Sequence, residues 1–199
     1  MHQDDLPAGV DFGKIVAIDT ETMGLNVPRD RLCLVQLSGG GGKIHLVQFR
    51  ERNYEAPRLK ALLADKAVIK LFHFGRFDIA VLKQYLGVLA GPVYCTKIAA
   101  KLTRTFTDRY GLKDLCRDLL GKDISKQQQT SDWGARELSA DQLKYAASDV
   151  LYLHALKNKL DALLEREGRT GLAQAAFEFL PNRALLDLAG WKDVDIFSH

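Results

Sequence analysis

The chain has 199 residues, 47% of them hydrophobic, a length and composition that predict one α/β domain with a sizeable core and argue against a second domain. Its formal net charge is only +3, which excludes long-duplex binding driven by charge alone; any anionic partner must meet a local cluster of basic residues. Three cysteines, Cys33, Cys95 and Cys116, stand singly in apolar contexts and read as reduced core thiols, not as a zinc site or a disulfide frame.

The first residues, Met1 to Asp5, are polar and acidic without a hydrophobic signal region, and no apolar stretch is long enough to span a bilayer. The expectation is a cytoplasmic protein with no membrane partner. Strand-like runs follow at about 14–19, 31–38 and 43–49. The first of them, Lys14-Ile15-Val16-Ala17-Ile18, leads into Asp19 and Glu21, which the two-residue period of a strand puts on one face. Two readings stand for this pair: a divalent-cation site, because paired carboxylates raise each other's pKa unless a cation lies between them, or a solvated strand end with a turn at Gly24. The tetraglycine Gly39 to Gly42 lacks the Lys-Ser/Thr of a phosphate loop and reads as a hairpin turn, so the opening is an antiparallel meander.

From residue 55 helices and strands alternate: a helix near 55–65, a strand near 67–72, a helix near 76–86, a short strand near 92–95, then helices to the C-terminus. Meander followed by alternation predicts a mixed sheet with helices on its faces. Asp78 falls just beyond a strand end, near a helix start. Ser139 is placed to cap a long helix that carries Tyr145 and Asp149 one turn apart on a shared face. Asp149 lies beside an apolar stripe, where an unpaired carboxylate is costly. These further acids decide between the two readings of Asp19 and Glu21 in favour of a cation site. Four carboxylates and a tyrosine without a Ser-His or Cys-His pair point to metal-assisted hydrolysis, and an all-oxygen ligand set favours Mg²⁺ or Mn²⁺ over zinc.

Asp19-x-Glu21, Phe77-Asp78 and Tyr145-x-x-x-Asp149 resemble, in order and spacing, the three motifs of DEDD-superfamily 3′-5′ exonucleases of the tyrosine subclass. The runs Arg31 to Ser38 and Gln129 to Trp133 are similar to the ribonuclease D branch. His73 to Asp78, Cys95 to Ala99, Leu102 to Thr105, Asp123 to Lys126 and Gly190 to Phe197 look like its short relatives in alphaproteobacteria.

The resemblance covers nearly the whole chain and implies a ribonuclease H-like fold: a single exonuclease domain over 1–199 with a helical C-terminal segment from about 165, and no additional helical domain of ribonuclease D type. It implies two divalent cations, Mg²⁺ or Mn²⁺, with Asp19 bridging both, Glu21 and Asp149 completing the first and Asp78 supporting the second. Tyr145 is expected to orient the attacking water, since a phenol with an ordinary pKa near 10 is a poor base at neutral pH. The residues expected to face substrate are Thr20, Thr22, Met23, Gly24 and Leu25, with Leu25 as a wedge between the last two bases, and His73, Phe74, Arg76 and Phe77. At Phe74 the chain departs from the wider branch, where an asparagine commonly follows the histidine. Arg76, Arg104, Arg109, Lys126 and Arg136 are candidates for phosphate contacts. Trp133 is expected to anchor its loop.

The expected partners are short single-stranded RNA or dinucleotides such as pGpG, possible DNA, and other copies of the chain, with a homo-octamer implied by the resemblance. Two rivals accompany this reading. One is a 3′-5′ DNA exonuclease or broader ribonuclease D-like processing, because nothing visible reads the 2′-hydroxyl. The other is a non-catalytic nucleic-acid-binding assembly module, against which the complete set of metal ligands argues.

Overall fold

The structure, a computed structural model, describes residues 1–125, 127–128 and 130–198. Lys126 and Gln129 therefore lie outside the described residues. Strands β1 (His2–Gln3), β2 (Ile15–Thr22), β3 (Leu32–Ser38) and β4 (Ile44–Gln48) come first, followed by α1 (Pro57–Ala64), β5 (Ile69–Phe72), α2 (Arg76–Leu86) and β6 (Val93–Cys95). Helices α3 (Thr96–Thr103), α4 (Leu112–Leu120), α5 (Ala140–Leu151), α6 (Leu153–Arg166) and α7 (Thr170–Leu188) complete the fold. The sheet order is β1-β4-β3-β2-β5-β6. Strands β2, β3 and β4 form the antiparallel meander, while β5 and β6 add in parallel beside β2. This is the mixed sheet flanked by helices expected from the sequence.

β3 and β2 sit together at the centre of the sheet: all of β3 is buried, and Val16, Ala17 and Ile18 of β2 are inaccessible to solvent. Its pairing with β3 shifts register between Glu21 and Thr22, an irregularity that ends regular pairing just after the two acids. Apolar residues of β2, β3, β5, α2 and α6 form the main core. A smaller cluster of Cys33, Leu34, Leu46, Trp133 and Ala146 packs α5 against β3 and β4. All three cysteines are buried and unpaired, and Trp133 is the loop anchor expected.

The start of α5 is set locally. The Ser139 hydroxyl accepts from the Gln142 amide at 3.2 Å, and the Gln142 side chain accepts from the Ser139 amide at 2.9 Å, a reciprocal capping box. Buried Lys70 ties β5 to its surroundings: its ammonium donates to the carbonyls of Asp65, Val68 and Gly91.

Three features differ from the sequence expectation. A two-residue strand, β1, pairs in parallel with β4, too short to leave a pattern in the sequence. The long helix after Ser139 breaks at Tyr152, where backbone angles of φ −101° and ψ −2° separate α5 from α6. The C-terminal helix ends at Leu188, and the tail after it is made of turns, held by Trp191 donating to Leu186 and Gly190 to Asp187. No helix among the described residues is long and apolar enough to cross a membrane.

Candidate active site

The end of β2 and the last turns of α5 deliver three acids to one point. One carboxylate oxygen from each of Asp19, Glu21 and Asp149 lies within 4.8 Å of the others. Asp78 joins from the first turn of α2, only 4% exposed, and its Oδ1 accepts a hydrogen bond from the Thr20 hydroxyl at 2.7 Å. Asp19 is held from the neighbouring strand, where its register partner Gln36 donates to Oδ2 at 3.2 Å. Tyr145 stands one turn before Asp149 on the same helix, and its ring lies 6.0 Å from that of Trp133.

The electrostatics are those of an anionic pocket that wants a cation. Burial first, then the charges of Asp78, Asp149 and Glu21, hold the Asp19 carboxyl well above the usual carboxylate range. Burial, Asp149 and Asp78 push Glu21 to about 9. Asp78 rises to about 7 through burial, against the hydrogen bond from Thr20. Asp149 also rises to about 7, mainly by burial, with the Tyr145 hydrogen bond opposing and Asp78 adding. The Tyr145 phenol is raised by burial and by the same acids, which makes it a proton holder and positioner at neutral pH and not a base. Four crowded acids with oxygen donors only are the ligand chemistry of a hard divalent cation, so the residues fit such a group.

Comparison with known proteins places this geometry. A family model described as 3′-5′ exonuclease matches residues 7–165. The chain belongs to the 3′-5′ exonuclease family. Structures of NrnC (nanoRNase C) from Brucella melitensis resemble this exonuclease along its length. One superposes with a TM-score of 0.97 at 57% identity, covering 100% of this chain and 97% of that one. Two others, described as with bound Mg²⁺ and as bound to pGG, give TM-scores of 0.95 and 0.96 at 55% and 56% identity, with the same coverage. Ribonuclease D of Acidiphilium cryptum is 38% identical over 154 residues, 77% of this chain and 39% of that protein. The exonuclease thus spans about two fifths of the length of that curated relative. Ribonuclease D of Escherichia coli shares the fold at a TM-score of 0.76 and 27% identity, covering 90% of this chain and 48% of that one.

The turn after β2 presents its residues in different ways. Gly24 is required for a close approach, because a Cβ there would come within 2.4 Å of Asp30 Oδ2. The Asp30 carboxylate closes the turn by accepting from the Asn26 amide at 2.9 Å, and the Thr22 hydroxyl donates to the Gly24 carbonyl. Leu25 is left 76% exposed at the tip, the position a wedge needs. Met23 is half exposed, with its sulfur against Gly134.

Of the second expected group, His73 Nδ1 is 2.9 Å from the Thr96 hydroxyl, and Phe77 packs against the main core. Phe74 is exposed, in the left-handed region at φ 64°, with the Lys97 ammonium 3.8 Å from its ring centroid. Two of the proposed phosphate contacts are engaged elsewhere in the exonuclease. Arg104, 4% exposed, donates to the solvent-facing Asp118 carboxylate at 2.5 Å. Arg76 forms a two-pronged pair with Asp187 at 2.5 and 2.6 Å. Arg109 and Arg136 are exposed.

One supporting residue, Gln36, has no role in the sequence reading, and a second, Thr20, has a further one in the structure. Gln36 was noticed only within a similar run, although a buried glutamine in an otherwise apolar strand, opposite Asp19, carries the signal. Thr20, expected to face substrate, also donates its hydroxyl to Asp78.

Proposed function

We propose that residues 1–199 act as one metal-dependent 3′-5′ exoribonuclease domain that shortens very short RNA, including dinucleotides such as pGpG, to nucleoside 5′-monophosphates. The observation that carries the reading is the meeting of Asp19, Glu21 and Asp149 oxygens within 4.8 Å, with Tyr145 one turn from Asp149 and Asp78 held alongside by Thr20. The bound states described for NrnC, with Mg²⁺ and with pGG, support the choice of cation and substrate class.

Two divalent cations, Mg²⁺ or Mn²⁺, would activate water and stabilise the leaving 3′ oxygen. Asp19, Glu21 and Asp149, with Asp78 aimed by Thr20, would hold them: Asp19 would be shared, Glu21 and Asp149 would complete one site, and Asp78 would support the other. The Tyr145 hydroxyl holds the attacking water in line with the scissile phosphorus. Leu25 inserts between the last two bases from its exposed turn. Exposed Phe74 offers a ring for stacking, and His73 lies beside the same strand end.

The exposed side chains of Leu172, Trp191, Val194, Ile196 and Phe197 favour assembly into a homo-oligomer, an octamer by similarity, in the cytoplasm. Neighbouring subunits would then limit access to short single strands.

A time course on end-labelled RNA of two to about twenty nucleotides, a range chosen to span a short single-strand site, tests the reading. Matched DNA runs alongside, and light scattering reports assembly. The expected result is rapid loss of dinucleotides with Mg²⁺ or Mn²⁺, abolished by EDTA and by Asp19→Ala in a protein that remains folded. Metal-dependent hydrolysis by folded Asp19→Ala would overturn the site, and equal turnover of DNA would replace the RNA assignment by that of a general 3′-5′ exonuclease.

A further inference from the structure

We propose that Asp187, at the far end of the chain, is a positioning residue for Asp78, acting through Arg76. The inference rests on the reading of Asp78 as a site carboxylate.

Nothing local fixes the first turn of α2. Its N-cap is Gly75, which supplies no side-chain acceptor, and the residue before it, Phe74, sits in the left-handed region at φ 64°. Gly75 cannot be exchanged for a capping residue, because a Cβ there would lie 2.6 Å from the Phe72 Cβ. The turn that carries Asp78 must therefore be held by contacts from elsewhere in the fold.

Besides the packing of Phe77 on the core, two polar side-chain contacts among the described residues hold it, on opposite sides. Residues two apart on a helix point about 200° apart, so Arg76 and Asp78 face away from each other within the same turn. Asp78 faces β2 and accepts from Thr20. Arg76 faces α7, where its Nε and Nη2 meet the two oxygens of Asp187 at 2.5 and 2.6 Å. The pair is mostly shielded, with side chains 31% and 13% exposed, and its fork geometry fixes direction as well as distance.

Asp187 is itself braced. Arg183, one turn earlier, donates to its Oδ1 at 2.8 Å, and the two guanidinium groups together gather the carbonyls at the start of the tail. Arg76 takes Lys192 at 2.6 Å, while Arg183 takes Trp191 at 3.2 Å and Lys192 at 2.9 Å. One carboxylate thus joins the end of α7 and the C-terminal tail to the turn that presents Asp78. Loss of its charge leaves the guanidinium of Arg76 without its fork partner and frees α2 to shift on the side opposite Thr20.

The test is a mutant cycle of Asp187→Asn, Arg76→Gln and the double variant, with Arg183→Gln as the control for stability. Arg183→Gln breaks tail contacts and one bond to Asp187 Oδ1, and keeps both partners of the Arg76–Asp187 fork. Mn²⁺ binding without substrate, followed by the electron paramagnetic resonance of free Mn²⁺, is the readout independent of turnover. Asp187→Asn is expected to weaken Mn²⁺ binding and lower kcat by on the order of tenfold, the range seen for residues one step removed from metal ligands, with KM for an RNA dinucleotide little changed. The double variant should lose no more than the worse single one, because both remove the same contact. Arg183→Gln should lower Tm without weakening Mn²⁺ binding.

Wild-type Mn²⁺ affinity in Asp187→Asn, additive losses in the double variant, or equal weakening in Arg183→Gln at matched Tm would each overturn the positioning role. A wild-type protein that binds Mn²⁺ but cleaves no RNA would refute the exonuclease reading alone, since the metal titration still decides the role of Asp187.

Discussion

Removing a charge from the acidic cluster should stabilise the metal-free protein, and Asp149→Asn tests this most cleanly. Burial, with Asp78 adding, raises Asp149 from an ordinary 3.8 to about 7. In the native state the carboxyl therefore holds a proton that the unfolded chain has released, so stability falls as pH rises from about 4 to about 7 and the loss is complete at pH 8. At 1.36 kcal/mol per pH unit the full penalty is about 4 kcal/mol. Asparagine stays buried and gives up a charged acceptor for the Tyr145 hydroxyl, so a net gain of about 1–2 kcal/mol is expected. For a chain of this size that is a rise in Tm of about 2–8 °C. Thermal melts in EDTA at pH 8 and pH 4 measure it: the variant should melt higher at pH 8, and its advantage should shrink toward pH 4. Saturating Mg²⁺ at pH 8 should favour the wild type instead, because only the intact cluster binds the cation well. A variant that melts below wild type in EDTA at pH 8, or whose advantage ignores pH, would refute the reasoning.

Tyr145→Phe should leave metal affinity and KM near wild type and lower kcat by on the order of 10²-fold, since one hydrogen bond to the reacting water is lost while the ring still packs beside Trp133; single-turnover kinetics that show an unchanged chemical step would remove Tyr145 from the mechanism. Lys70→Met should lower stability by about 2–4 kcal/mol, because the carbonyls of Asp65, Val68 and Gly91 lose a shared charged donor; a urea midpoint equal to that of wild type would contradict this.

The parts of the site readable from sequence are those in which one local period places a group. The two-residue period of β2 paired Asp19 with Glu21, the helical turn paired Tyr145 with Asp149, and Ser139 marked the start of α5. The strand and helix that frame Asp78 were legible too, since Ala67 to Phe72 is an apolar run and the helix after it starts at Arg76, as expected. The roles of the arginines were not legible. An ion pair between residues 76 and 187 leaves no periodic trace, and the same basic side chain suits a phosphate or an internal carboxylate. Arg104 shows the outcome: its charge is neutralised by Asp118, fourteen positions away and one helix on.

Phe74 shows how a departure from a family pattern becomes intelligible only through the backbone. Asparagine tolerates the left-handed region because its short polar side chain bonds locally, whereas a phenylalanine there costs on the order of 1–3 kcal/mol. The backbone at residue 74 takes φ 64° in this protein all the same, so the geometry persists without the residue type that suits it. Two neighbours account for that persistence. Gly75 must remain glycine because Phe72 fills the space of a Cβ, and the turn it begins is fixed by Thr20 on one side and Asp187 on the other. The strain at Phe74 is thus imposed by the framework that presents Asp78. Its visible consequence is an exposed aromatic ring under the Lys97 ammonium, a cation and an aromatic face together where an asparagine would supply neither. Phe74 and Leu25 lie outside the acid cluster and remain open to solvent, so either can differ between relatives without disturbing the four carboxylates.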